Sequence, residues 1–410
     1  MSQNMSLELN RVAQPAPAVG LAFATILAAH VAVDGLAALV PSTLGLIEVR
    51  LQMTTQQSAW LFGIGPLFSG ISQPICALIS DSLATRKLGV VGLALAVLGI
   101  GALGLASDFV SIGLIYFCGV IGIGMFHPIG AATIGHLWQQ RRTSAVSSFF
   151  VAGMLGGVLG SLVWPRVLSL PDGFRYLPWL VAPLFILAIA LQRSFSGLPP
   201  LVVRVSKHSD NKLPPVRWTL VGVLYVGAVL RFCVNTALAY LFLRWAQNGV
   251  ATEHPAWSLQ EVAHAAAPLV GNLNAALLVG MAVGGLSAGV LVRSGKEKWP
   301  MVLVPLGFAP VIGLFPFMPL NVGYFMAVAA GVGFAAVIPV TIALAQHSMP
   351  GRTNLASSLM MGGAWAVAML GPTCAEFGVA HFGLQTTFLA TAVTLALAGL
   401  VCLPISNEAA

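Results

Sequence analysis

The chain has 410 residues, of which 58% are hydrophobic and only 8% charged, and its mean hydropathy is +0.91. Soluble domains carry about 25% charged residues, so this composition excludes a soluble enzyme and belongs in a lipid bilayer. The formal net charge of +7 does not indicate a nucleic-acid partner, because insertion retains Lys and Arg on the cytoplasmic side of a membrane.

A helical crossing needs about 20 mostly apolar residues. Stretches of that kind lie near 18–46, 58–80, 88–106, 109–138, 145–164, 174–193, 217–243, 271–292, 299–318, 321–346, 355–378 and 384–404. Residues 1–17 are polar and Pro-containing, and the first apolar stretch is long enough to span, so no cleavable signal peptide is expected. With the N-terminus in the cytoplasm, 14 basic residues fall on inside segments and 4 on outside segments. An even number of spans returns the C-terminus to the same side. The expected protein is all-α, with a cytoplasmic tail at 1–17, a six-helix bundle at 18–193, a cytoplasmic linker at 194–216, a second six-helix bundle at 217–404 and a tail at 405–410.

Ionisable residues inside hydrocarbon are costly and mark water-filled paths, partners or substrates. In the first span, His30 and Asp34 are spaced i to i+4 and share a helix face. A protonated Asp34 is tolerable in a dry cavity, whereas an ionised one needs water or a cation; alternating exposure can therefore move a proton. A hydrogen-bonded packing pair is the plainer alternative. Gln73 precedes Pro74 in the second span, a polar group beside a kink. Asp81, Arg86 and Lys87 follow that span and form either a latch at the cytoplasmic gate or a simple interfacial charge cluster.

In the fourth span His127 precedes Pro128, and the glycines around it permit close backbone approach, so it is a candidate cavity donor or a packing histidine. Gly153, Gly156, Gly157 and Gly160 make a small-residue stripe in the fifth span, read as tight helix packing. Arg231 interrupts the seventh span and stays charged in any environment. It could bind an anionic substrate, pair with Asp34 across the cavity or serve local packing; Asn235 lies four residues on. The segment 246–270 is expected as a solvated outer loop, and Glu376 sits late in the eleventh span, where an interfacial position competes with a translocation role. Cys76, Cys118, Cys233, Cys374 and Cys402 lack metal-ligand spacing and are read as small packing residues; no metal or cofactor is expected.

The chain also repeats itself. Arg142-Thr143, Ser147-Ser148 and Gly153 recur 210 residues later as Arg352-Thr353, Ser357-Ser358 and Gly363. Before each copy lies a Gly-x-Gly span with a following proline: Gly122, Gly124 and Pro128, then Gly331, Gly333 and Pro339. Six spans separate the copies, so the halves share one orientation, as in parallel-repeat transporters whose site lies at the midplane.

These features together resemble the major facilitator superfamily, and more narrowly its fosmidomycin-resistance group of bacterial exporters. The resemblance is carried by Ala29-His30 with Asp34 and Pro41, Gln73-Pro74 with Asp81, Gly124-Met125-Phe126-His127-Pro128, Leu230-Arg231, and Gly351-Arg352 through Leu355-Ala356-Ser357. It implies a secondary transporter in the bacterial inner membrane, acting as a monomer on a small-molecule substrate by alternating access. The expected activity is proton-coupled export of a small organic, anionic or antimicrobial molecule, with Asp34 and His30 as the proton site and the proton gradient as energy source. An uptake permease or symporter is the alternative, and a non-transporting receptor a more distant one. ATP-driven pumping is not expected, since the sequence carries no Gly-x-x-x-x-Gly-Lys-[Ser/Thr] loop.

Overall fold

Prolines break some of these apolar helices and are carried inside others. The computed structural model describes residues 17–83, 85–138, 142–198, 214–292, 295–350 and 352–405, and among them no strand occurs. Helix α1 runs Pro17–Ala37, pauses at Ala38 and resumes as Leu39–Arg50. Pro41 has no N–H to offer the carbonyl of Ala37, which accounts for the pause. Helix α2 (Thr55–Leu83) carries Pro66 and Pro74 without breaking. Helices α3 (Lys87–Ala102), α4 (Phe109–Leu137), α5 (Arg142–Leu168) and α6 (Gly173–Val181 with Phe185–Ser196) complete the first half. Asp108 caps α4 by accepting the Ser111 N–H at 2.8 Å, while Ser111 Oγ accepts the Asp108 N–H at 3.1 Å.

The second half begins with α7 (Trp218–Glu253), 36 residues with no internal proline. It continues with α8 (Leu259–Leu291), α9 (Lys298–Leu314) and α10 (Leu320–Ala335 with Ile338–Ser348), which breaks just before Pro339. Helix α11 is the most irregular: Thr353–Ser358, a π turn at Leu359–Gly363, Ala364–Val367, then Leu370–Phe382. Pro372 cannot donate to the Ala368 carbonyl, and Thr236 Oγ1 of α7 fills that vacancy at 2.7 Å. Helix α12 (Leu384–Leu400) closes the fold. Eleven helical units among the described residues are long and apolar enough to cross a bilayer, and α12 is a shorter twelfth of 17 residues.

The expected outer loop at 246–270 is corrected by the structure. Helix α7 persists to Glu253 and α8 starts at Leu259, so the connection shrinks to a few residues. Ser258 and Glu261 form a reciprocal capping box: Glu261 Oε2 accepts the Ser258 N–H at 2.7 Å, and Ser258 Oγ accepts the Glu261 N–H at 3.3 Å. Polarity here marks exposure above the bilayer, not loss of helix. Similarly, α6 extends to Ser196 into the expected linker, of which 199–213 lie outside the described residues.

Equivalent helices pair in both halves. Helix α1 packs on α5, α2 on α4, and α3 on α4 and α6; α7 packs on α11, α8 on α10, and α9 on α10 and α12. Between the halves, α5 meets α8, α2 meets α11, and the second segment of α1 meets α8. Gly70 of α2 and Gly362 of α11 let two backbones touch at that seam, since an added Cβ on either would strike the other helix. Large apolar side chains such as Leu98, Leu114, Trp179, Ile186, Leu303 and Phe325 face outward. In water such a surface would aggregate; around a bundle in lipid it is the required exterior.

Candidate functional site

The first half brings three ionisable groups together. Asp34 and His30 lie one turn apart on α1, and His127 reaches them from α4. His127 Nε2 is 2.9 Å from Asp34 Oδ1, and His30 Nε2 is 3.4 Å from Asp34 Oδ2. The opposite edge of each imidazole is pinned to a backbone carbonyl: His30 Nδ1 to Phe149 at 2.7 Å, His127 Nδ1 to Ile123 at 2.8 Å. The Phe149 ring stacks on His30, with centroids 3.7 Å apart. Sequence reasoning assigned His127 to the cavity wall; the structure makes it a member of the Asp34 cluster.

The protonation chemistry follows from these contacts. A carbonyl only accepts, so both Nδ1 atoms carry hydrogen and both Nε2 atoms turn toward the carboxylate. The 2.9 Å contact then requires one proton, held either by His127 Nε2 or by Asp34. Without it, three acceptors would face one another in a poorly solvated site. His30 Nε2 has no hydrogen-bond partner and offers a second berth. Exposure divides the cluster: Asp34 and His127 are 21% and 25% exposed, His30 only 2%, so water reaches the first two. Two imidazoles and a carboxylate also suit metal ions. The 2.9 Å contact is a hydrogen-bond distance, and the ligand atoms of the three side chains all lie within 4.8 Å of one another.

Gly153 of α5 seals the cluster from one side. A Cβ there would lie 2.6 Å from His30 Nε2 and closer still to Asp34 Oδ2. Gly153→Ala is expected to push the carboxylate off its histidines and to lower flux about tenfold or more, because small misplacements of reacting groups are costly. Flux assays beside a thermal unfolding curve check this; normal flux in a stable variant would show that the cluster tolerates displacement.

The second half holds Arg231 in α7, 1% exposed. Its Nη2 donates to Thr341 Oγ1 of α10 at 2.9 Å. The pairing of Arg231 with Asp34 expected from sequence does not occur: Asp34 is occupied by the two histidines, and no described carboxylate lies within ion-pair distance of Arg231. Asn235 is buried and turns to α8, where its Nδ2 meets Met281 Sδ at 3.4 Å. Gln73 is half-buried at the α2–α11 seam, its Cβ against Gly362.

Glu376, read from the sequence as an interfacial or a translocation residue, is buried. It joins a network that ties the two bundles at the end carrying residues 50–55 and 253–258. Arg244 of α7 grips Glu48 of α1 with Nη1–Oε1 at 3.1 Å and Nη2–Oε2 at 2.9 Å, and its Nε lies 3.5 Å from Glu376 Oε2. Tyr240 Oη donates to Glu376 Oε2 at 2.5 Å, and the Arg244 guanidinium sits over the Tyr240 ring. Nearby, Arg166 Nη2 donates to Asn272 Oδ1 at 2.9 Å, another link from α5 to α8. Sequence reasoning missed Glu48, Tyr240 and Arg244. The available signal was the i to i+4 spacing of Tyr240 and Arg244 at the same membrane level as Glu48.

At the opposite end lie the residues expected to form a latch. Lys87 is exposed, its backbone N–H on Thr85 Oγ1 at 3.2 Å, and Arg86 stands at the start of α3. The Asp81 side chain lies outside the described residues. All five cysteines are free thiols.

Among the described residues, eleven helices long enough to span and a shorter twelfth form two like bundles, with a titratable cluster in one and a buried cation in the other, the build of a membrane transporter. Residues 21–248 and 236–409 match the model of the Major Facilitator Superfamily, and the chain belongs to that superfamily. It is a multi-pass membrane transporter, not an enzyme. It is 26% identical over 288 residues to the enterobactin exporter EntS of Shigella boydii serotype 4, a match covering 67% of this chain and 65% of that protein. The chain thus spans just under two thirds of the length of that relative. It is 23% identical over 390 residues to the fosmidomycin resistance protein of Escherichia coli K12, covering 92% of this chain and 93% of that protein. Among solved structures it is similar to a bacterial homolog of the human lysosomal transporter Spinster in an inward-facing, unoccupied conformation, with a TM-score of 0.71, 15% identity, and coverage of 94% and 96% of the two chains. A POT family transporter in complex with 5-aminolevulinic acid gives a TM-score of 0.71 at 14% identity, covering 95% and 96%.

Proposed function

We propose that this transporter expels a small organic molecule in exchange for protons. The hydrogen-bonded His30–Asp34–His127 cluster carries the reading, because it must hold a proton yet presents two of its members to water. The names of the matched relatives, an enterobactin exporter and a fosmidomycin resistance protein, support outward movement. The bias of basic residues supports cytoplasmic termini in a bacterial inner membrane, which makes the Glu48–Arg244 network an outer lock.

In the proposed cycle a single chain takes cargo from the cytoplasm while Asp34 is deprotonated. The lock parts, the bundles rock about the α2–α11 seam, and protons from outside occupy the cluster as cargo leaves. Return to the closed outer end delivers the proton inward. The test uses everted membrane vesicles with an imposed pH gradient and fosmidomycin and enterobactin as probes. Probe accumulation that drains the gradient is expected from vesicles containing the protein. Accumulation that instead requires a proton to move in the same direction as the probe would identify a symporter and overturn the proposal.

A further inference from the structure

Arg231 is a permanent cation, and no described carboxylate pairs with it. Among the described residues the oxygen it meets is Thr341 Oγ1, and that hydroxyl already donates its proton to the Val337 carbonyl at 2.8 Å. The guanidinium Nε and Nη1 are buried without a hydrogen-bond acceptor, and the neighbouring sulfur, Cys402, is a weak one. Leaving a charge uncompensated in a low-dielectric interior is among the costlier arrangements a fold can keep. The arginine opens on a cavity of about 10 Å³, the room of a single water, between α7, α10 and α11, whose other walls are Ala228, Phe232, Phe334, Ile338, Thr341, Ile342 and Met360. Phe232 meets Phe334 and Trp365 edge to face, with centroids 5.5 Å and 5.3 Å apart. Met360 adds a flexible, polarisable surface.

We propose that this pocket receives the anionic headgroup of a lipophilic monoanion, an aromatic carboxylate being the model, as the cargo of the transport activity proposed above. One cation neutralises one charge, and the remaining walls supply hydrocarbon and aromatic edges. A second anionic group would find no partner among them, and a neutral isostere would leave Arg231 as bare as before. The pocket lies in the opposite bundle from the proton cluster. Cargo charge and proton are therefore handled by different halves.

Binding to the full chain in lipid nanodiscs tests this by calorimetry, with no gradient imposed. The probes are 1-naphthoate, its neutral amide, naphthalene-1,4-dicarboxylate and chloride. Naphthoate is expected to bind at least tenfold tighter than the amide, the dianion or chloride. Arg231→Gln should bring acid and amide within twofold, and Arg231→Lys should keep part of the preference. Met360→Asp, which supplies an internal carboxylate, should weaken naphthoate about tenfold and covers the case in which Arg231→Gln does not fold. Equal binding of acid and amide, undiminished naphthoate binding by Arg231→Gln, or chloride binding as tightly as naphthoate each overturns the proposal. The same proteins in proteoliposomes separate it from the transport reading. Arg231-dependent binding without naphthoate counterflow removes transport and leaves the pocket, whereas proton-coupled flux of fosmidomycin or enterobactin indifferent to Arg231 does the reverse.

Discussion

Asp34→Asn abolishes proton-driven flux, by about a hundredfold or more, and leaves the folded protein intact. The amide fills the same space. Its oxygen can accept from His127 when that ring's Nε2, 2.9 Å from the present carboxylate, carries a proton, and its nitrogen can donate to the unpartnered His30 Nε2. What it cannot do is gain or lose a proton across the cycle. Cargo exchange between the two sides without a gradient should persist, since that half-reaction needs the bundles to rock but not the cluster to titrate. Flux in proteoliposomes with and without an imposed pH difference separates the two. Gradient-dependent flux of ordinary size in this variant would remove Asp34 from the coupling step.

Arg244→Ala opens the end of the molecule that Arg244 now closes. The guanidinium holds Glu48 through two hydrogen bonds and faces Glu376, with the arginine 8% and Glu48 14% exposed. Removing one partner of a largely buried pair costs about 3–5 kcal/mol, and here two acids would be left facing each other. If that cost falls mainly on the closed state, the balance between states moves by roughly two to three and a half powers of ten. Spin labels at Thr54 and Thr252, both exposed at that end, should report a longer separation. Arg244→Lys, able to satisfy one acid at a time, should fall between. Unchanged distances in the alanine variant would mean that helix packing alone holds the ends together.

Much of the fold was legible because hydrocarbon leaves so few options: apolar length located the crossings, and recurrence 210 residues apart matched the pairing of α1 with α5 and α7 with α11. The loop expected at 246–270 failed because polar residues on a helix that rises beyond the bilayer look like a loop to a hydropathy argument. The Ser258-x-x-Glu261 cap, present in the sequence, was the stronger local signal. His30 with Asp34 was readable from a four-residue spacing, but the participation of His127 depends on how α4 crosses α1, which no local pattern encodes. The Asp34–Arg231 pair failed for the same reason: with two histidines already on Asp34, nothing draws the arginine across. Glu48 and Arg244 are separated by 196 residues and meet only once both bundles have formed.

Helices α1, α10 and α11 are interrupted, and each interruption can absorb a bend. Helix α7 has none: its 36 residues make a shaft about 54 Å long at 1.5 Å per residue. Arg231 and Arg244 are mounted on it about 20 Å apart, by the same rise, one aimed into its own bundle and the other at the opposite one. An uninterrupted shaft links the two arginines geometrically: a tilt of α7 that shifts Arg231 at the pocket proposed for the anion also shifts Arg244 at its grip on Glu48.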